Sequence, residues 1–381
     1  MPAAVRHETP AATRISDRWR GWRDTLLASA AFQRWAAAFP LTRPIARRRA
    51  AELFDLCAGF VYSQTLAACV QLDLFEGLRA EPRDVATLAS RAAMPPEAMT
   101  SLCEAASALQ LLERRGEARY GLGPLGAALL GNPGIAAMVR HHAALYADLG
   151  DPVALLRGQD RARRLAHYWP YALDKRADAL THDNVAPYTA LMAASQPMIA
   201  DVVLAAYPLT GHRCLLDVGG GDGSFLAAAA RAAPRLQLKL FDLPGVAAIA
   251  QERLTGDGLA DRATISSGSF YDDPLPTGAD VISLIRVVHD HDDEAVARLL
   301  AKVRAALPDN GVLLLGEPMR DAGGGADGVS AYFEIYLRAM GQGRPRSAAR
   351  LRELLNAAGF SQVRALRTRI PLIASVIVAK S

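Results

Sequence analysis

The chain has 381 residues, 51% of them hydrophobic and 22% charged, a length that suggests two to three domains and a balance that fits a globular protein with a large core. Its net charge of +4 is too small and too dispersed for a nucleic-acid binder. Cys57, Cys69, Cys103 and Cys214 lack both CxxC spacing and nearby histidines, so they read as reduced core thiols of a cytoplasmic protein.

Residues 1–15 are polar, contain two prolines and are expected to be disordered. Arg6, Arg14, Arg18, Arg20 and Arg23 leave no compact apolar stretch for a secretory signal, and no run reaches the ~20 apolar residues of a transmembrane helix. From Ser16 to Phe39 the spacing predicts a helix. Trp19, Trp22, Leu26, Leu27, Trp35 and Phe39 can share a broad face, with arginines interleaved on the other, and the apolar face would pack on its own domain, on a second copy, or on a membrane surface. Residues 47–80 predict one or two amphipathic helices. A helix, a break at Pro95-Pro96, a second helix and a hairpin with Gly116, Gly121 and Gly123 then resemble a winged helix. Glu97 and Glu104 on its second helix serve phosphate binding poorly, so a dimerisation role is expected and nucleic acid is not.

Residues 134–206 read as helical, with breaks at Pro152, Pro170, Pro187 and Pro197. After Thr210, short apolar runs such as CLLDV, LQLKLFD, ATISS, VISLI and GVLLL alternate with helical stretches, which predicts βαβ units and a mostly parallel sheet. Gly323–Gly325 form a flexible loop, and the tail reads as a helix ended by Gly359 and then two strands. The expected division is a 1–45 extension with an amphipathic helix, a helical winged-helix-like domain over 46–185, and an α/β domain over 186–381.

The most informative segment is Leu215-Leu216-Asp217-Val218-Gly219-Gly220-Gly221-Asp222-Gly223-Ser224, between a strand and an alanine-rich helix. Gly219 and Gly221 allow close approach of a ligand, and the helix offers backbone N–H groups. No Lys-Ser/Thr follows, which argues against a Walker phosphate loop. Asp217 would repel a pyrophosphate and suits a cationic or polar ligand; S-adenosylmethionine (SAM), with its sulfonium, amine and ribose hydroxyls, fits. Roughly 20 residues on, Asp242 in Phe241-Asp242-Leu243-Pro244 is placed to accept ribose hydroxyls, a geometry shared with NAD enzymes, or to cap the next helix. In Gly268-Ser269-Phe270-Tyr271, Ser269 could bond an adenine and Phe270 pack on it; a plain strand-end turn is the other reading.

Taken in order, LLDVGGGDG, FDLP, GSFYDDPLPTGAD, RVVHDHDDE and ALPDNGVLLLGEP resemble the SAM-dependent O-methyltransferases of the plant caffeate/hydroxyneurosporene type. AYFEIYLRAMGQGRPRS, MAASQPMIADVVLAAYPL and the basic Trp-rich start look like the bacterial carotenoid branch, the hydroxyneurosporene and demethylspheroidene O-methyltransferases. The resemblance implies a homodimer in which a winged-helix-like dimerisation domain precedes a Rossmann-like SAM-binding sheet with helices on both faces. It also implies methylation of a 1-hydroxy acyclic carotenoid, and an oily substrate would give the first helix a peripheral membrane role.

By the same resemblance His289 is the general base, Glu317 orients it, and Asp290 lines the site. Asp217, Gly219, Gly221, Asp242, Leu243, Ser269, Phe270, Arg286 and Ser195 fall to the cofactor, with Gln196 beside them, and Tyr188 and Met192 to the acceptor. Three departures weaken transfer of plant phenol specificity: His291 stands where a Trp is usual, Ala348 where an acidic residue is usual, and Ser269 where plant members have Asp. If the motif were a strand, His289 and His291 would share a face and could suggest a metal. Asp292, Asp293 and Glu294 read better as the start of a helix, and no metal is expected. The remaining alternatives are an O-methyltransferase of phenols or polyketides, a SAM-binding regulator without catalysis, and an NAD-dependent oxidoreductase, which the lack of a Tyr-x-x-x-Lys pair disfavours.

Overall fold

The computed structural model describes residues 11–159, 163–168, 182–320 and 326–381. The expectations for residues 1–10, Pro170 and Gly323–Gly325 lie outside these. The helix expected over 16–39 is two helices, α1 (Ala11–Ala28) and α2 (Ala30–Ala38), because Ser29 leaves helical geometry and its side chain caps the Phe32 N–H. The helical spacing runs on through Ala11, so residues 11–15 belong to α1 and not to a disordered start. The long helix α3 (Arg43–Gln71) and the single turn α4 (Leu74–Gly77) complete the first layer.

Strand β1 (Arg83–Asp84), α5 (Val85–Arg91), α6 (Pro96–Ala108) and the hairpin β2 (Leu112–Arg114) and β3 (Arg119–Leu122) form the winged-helix-like unit, with antiparallel strand order β1-β3-β2. Met99, Cys103 and Ala106 of α6 pack into its core with Cys69 and Val70 of α3. Cys57, in contrast to the expectation of four core thiols, is exposed.

Helices α7 (Pro124–Leu130), α8 (Pro133–Asp148), α9 (Pro152–Leu156), α10 (Arg164–Tyr168) and α11 (His182–Ala206) lead to the second domain. Pro152 starts α9, but Pro187 and Pro197 lie inside α11 without ending it. Each removes one backbone donor. Burial of Leu191, Ile199, Ala200, Val202 and Val203 outweighs that loss.

The sheet has the order β6-β5-β4-β7-β8-β10-β9. Its parallel strands are β4 (Cys214–Val218), β5 (Gln237–Asp242), β6 (Ala263–Ser267), β7 (Val281–Ile285) and β8 (Val312–Glu317); β10 (Ser375–Lys380) runs antiparallel between β8 and β9 (Ser361–Leu366). Every residue of β4, β7 and β8 is buried, as expected of strands covered on both faces. The covering helices are α11, α12 (Ser224–Ala232) and α13 (Pro244–Gly256) on one face and α14 (Asp293–Ala306) and α16 (Ala348–Ala357) on the other, while α15 (Ala326–Met340) packs against α8, α9 and α10. The chain runs outward from β4 through β5 to β6, then crosses back to β7. That reversal opens a crevice at the carboxyl ends of β4 and β7, where open α/β sheets bind ligands.

Candidate active site

Five strand ends converge on this crevice. After β4, Gly219, Gly221 and Gly223 all adopt left-handed backbone angles. At Gly219 (φ +69°) a Cβ would also fall 2.8 Å from Val287, so the turn requires glycine on two counts. At Gly220 a Cβ would come within 2.8 Å of Asp217 Oδ2.

Asp217 is buried. Ser283 Oγ donates to its Oδ1 at 2.5 Å, while Oδ2 has no hydrogen-bond partner. Burial pushes this carboxyl up to about 7; Ser283 opposes that shift and Asp242 adds to it. At the end of β5, Asp242 Oδ2 accepts from the Gly221 N–H at 2.8 Å and Oδ1 from the Leu243 N–H at 2.7 Å. Burial raises Asp242 to about 6 against those two hydrogen bonds. The two carboxylates, the bare glycine turn and Leu243 line one cavity together with Ser269, Phe270, Arg286, Tyr188 and Met192. An orphaned buried carboxylate oxygen suits a cationic centre, and a carboxylate fixed by two backbone donors keeps lone pairs for a diol, so these residues fit SAM.

Beyond β6, Ser269 Oγ accepts from the Tyr271 N–H at 3.2 Å, and the Ser269 N–H donates to Asp273 at 2.8 Å, so the loop is self-bonded. Arg286 follows β7 with φ +59°, rare for a residue with a side chain. It reaches α11, where Nη1 donates to Ser195 Oγ at 2.6 Å and Nη2 meets Met192 Sδ. Ser195 is thus turned to Arg286, and Gln196 rather than Ser195 lines the cavity.

The strand β7 ends at Ile285, and Val288–Asp290 form a 3₁₀ turn. His289 and His291 therefore diverge instead of sharing a strand face. His291 Nδ1 lies 2.6 Å from Tyr271 Oη, with Phe270 edge-on to its ring at 5.2 Å. His289 Nδ1 lies 2.6 Å from Glu317 Oε2 and, against an ionised carboxylate, must donate. Glu317 Oε1 in turn accepts from the N–H groups of Val287 and Val288 at 3.0 and 2.7 Å. On the other side, His289 Nε2 lies 3.1 Å from Asp290 Oδ1 without hydrogen-bond geometry. Burial would lower the imidazole, but the Asp290 and Glu317 carboxylates overcome it and raise His289 above its usual 6.5. Burial lifts Asp290 to about 7, with His289 opposing and Glu317 adding. Asp290 and His291 line the cofactor cavity; His289 stands just behind Asp290, its other flank covered edge-on by Phe333 at 5.7 Å.

Sequence reasoning missed the residues that hold this turn. Arg346 is buried and donates to the carbonyls of Val288 and His291 at 2.8 and 2.7 Å and to Asp293 Oδ1 at 2.8 Å. Gly343 lies so close that a Cβ would stand 2.4 Å from the His289 carbonyl. Tyr332 and Tyr336 on α15 lie 2.9 Å from His142 and His141 on α8, joining the helical half to the sheet domain. The stripe Tyr332-Phe333-Tyr336 was the one available signal, because its spacing puts three rings on one flank of a helix.

Residues 146–361 match the O-methyltransferase domain family and residues 54–132 the O-methyltransferase dimerisation domain. The chain belongs to the O-methyltransferase family. It is 45% identical over 354 residues to the demethylspheroidene O-methyltransferase of Cereibacter sphaeroides, covering 93% of each chain, and 42% identical to that of Rhodobacter capsulatus over 90% of this chain and 84% of the relative. Among solved structures, the mitomycin 7-O-methyltransferase MmcR is 26% identical with a TM-score of 0.71, covering 88% of this chain and all of that one. Human N-acetylserotonin methyltransferase in complex with SAM shares the fold, with a TM-score of 0.73 at 23% identity over 87% of this chain and 97% of that one. This O-methyltransferase is SAM-dependent. Among its described residues no cluster of three or more His, Cys, Asp and Glu is arranged to hold a metal.

Proposed function

We propose that the enzyme methylates the hydroxyl of a 1-hydroxy acyclic carotenoid, with His289 as general base. What carries the acceptor assignment is the 45% identity, across 93% of both chains, to a relative named for demethylspheroidene. Asp217 and Asp242 hold the cofactor at its charged and ribose portions, with Gly219, Gly221, Leu243, Ser269, Phe270 and Arg286 around them. Tyr188 and Met192 face the acceptor.

SAM supplies a methyl group already activated by a sulfonium, and the protein has to align the acceptor oxygen and remove its proton. Glu317 fixes His289 with Nδ1 protonated, which leaves the Nε2 lone pair facing Asp290, the residue that stands between this imidazole and the cavity. The proton leaving the acceptor oxygen arrives at Nε2, and the two flanking carboxylates stabilise the imidazolium that results. An aliphatic alcohol is a weak acid, so its deprotonation has to be concerted with methyl transfer rather than precede it. A His–Glu pair of this kind has no use in a regulator without catalysis.

The same reading takes the protein as a homodimer through residues 46–185, with 186–381 binding the cofactor and peripheral contact with a membrane through the first helices. A phenolic acceptor is the second reading, favoured by relatives such as a 3-hydroxy-5-methyl-1-naphthoate 3-O-methyltransferase at 30% identity. Labelled SAM offered with a detergent-dispersed 1-hydroxy carotenoid and, in parallel, a panel of phenols separates the two. Label in the carotenoid alone is expected; label in phenols alone would remove the carotenoid and leave the family intact.

A further inference from the structure

Residues 11–53 precede the matched dimerisation domain and form an arm of α1, α2 and the start of α3. The arm leaves large apolar side chains in solvent: Trp19 and Trp22 are 64% and 62% exposed, Trp35 52%, Leu41 79% and Ile45 60%. Only Ala36 is buried among the described residues of α2. Exposed aromatic surface on this scale marks an interaction site.

The arm is also where the positive charge of the chain resides. It holds nine arginines and three carboxylates, a surplus of six, while the whole chain nets +4, so everything outside the arm nets −2. The charges are placed around the apolar stripe. At about 100° per residue, Trp22, Leu26 and Trp19 fall within an arc of about 60° on α1, Arg18 and Arg23 stand about 40° beyond its two edges, Arg23 in an exposed ion pair with Asp24, and Asp17 lies at the back. Arg47, Arg48 and Arg49 add a basic cluster at the start of α3.

We propose that this arm docks on an anionic lipid bilayer. Indoles and leucines enter the boundary between headgroups and acyl chains, while the flanking guanidinium groups meet lipid phosphates. A second copy of the same arm is a poorer occupant, because a two-fold contact would set one sixfold surplus of positive charge against another. The docking gives an oily acceptor a route to the enzyme without crossing water. It deepens the membrane contact of the proposed function, but its test needs no acceptor and so fails or succeeds separately from the carotenoid assignment.

The test is sedimentation of the full-length protein with vesicles of phosphatidylcholine, alone or mixed with phosphatidylglycerol. Binding to the mixed vesicles should exceed binding to phosphatidylcholine by at least about tenfold and fall sharply near 1 M salt, where the screening length is about 3 Å. Tryptophan emission should move to shorter wavelength on binding. The variant W19S/W22S/W35S should lose roughly tenfold in vesicle binding while keeping its SAM affinity and its molar mass by light scattering. Equal or absent binding to the two vesicle types would overturn the proposal. So would a fall to monomer in the triple variant, which would make the arm a subunit contact.

Discussion

The electrostatics of single residues set how the site responds to pH. Asp217 is held near 7 and Asp242 near 6 chiefly by burial, so below those values each carries its proton and presents no negative charge to SAM. Cofactor binding favours the ionised forms and must expel that proton. SAM affinity is therefore expected to rise with pH by up to about a hundredfold per unit below 6, where both carboxyls must lose a proton, and by up to about tenfold per unit between 6 and 7, levelling above that. Calorimetry in buffers of different ionisation enthalpy checks this, and a flat dissociation constant with no proton release would contradict it. At His289 the sign is also fixed. The imidazole is raised above 6.5 by Asp290 and Glu317 against burial, and only its neutral form can accept a proton, so turnover should climb with pH through a value above the ordinary histidine one. Glu317→Gln removes one of the two carboxylates, so the acidic limb should move to lower pH while the plateau falls. An unmoved limb would show that Glu317 does not act through His289. Asp217 and Asp242 were legible in the sequence because each adjoins its glycine turn or helix start. The partner of Asp217 was not: Ser283 reaches it from 66 residues away, and only the register of β4 on β7 brings the two together.

Elements position these groups, and here the sequence was readable wherever a local rule governed. The alternation of apolar runs and helical stretches after Thr210 identified the parallel sheet, and the Pro95-Pro96 break separated α5 from α6. Local rules failed where packing overrode them. Two prolines persist inside α11, and the strand end on which His289 was expected is the 3₁₀ turn Val288–Asp290, because Glu317 draws in the N–H groups of Val287 and Val288 that a strand would have spent on a neighbour. That turn is clamped from below by Arg346 and from the side by Gly343, whose φ of +85° and proximity to the His289 carbonyl exclude a side chain. Gly343→Ala is expected to cost about 1–3 kcal/mol of stability. It should also lower kcat well beyond any change in SAM affinity, because the displaced atoms are those of His289 and Asp290. Thermal unfolding and a kcat-against-KM comparison on the same variant check both; equal losses in SAM binding and kcat would place the damage elsewhere.

At the scale of the molecule, the helical half covers the sheet domain through paired aromatic and histidine contacts between α8 and α15, close to the face of His289 that Phe333 covers. The helical half also carries the dimerisation match and a basic arm. None of this architecture was visible in a single motif, since it depends on contacts roughly 190 residues apart. The chemistry centres on the imidazole held by Glu317 beside the cavity. The most direct test follows labelled methyl from SAM into a 1-hydroxy carotenoid with the wild-type enzyme and His289→Ala side by side, with SAM binding measured on both. The account predicts label in the carotenoid ether for the wild type and a loss of roughly 10²–10⁴-fold in turnover for the variant, the range of a general base, at unchanged SAM affinity. Turnover by His289→Ala close to that of the wild type would contradict it.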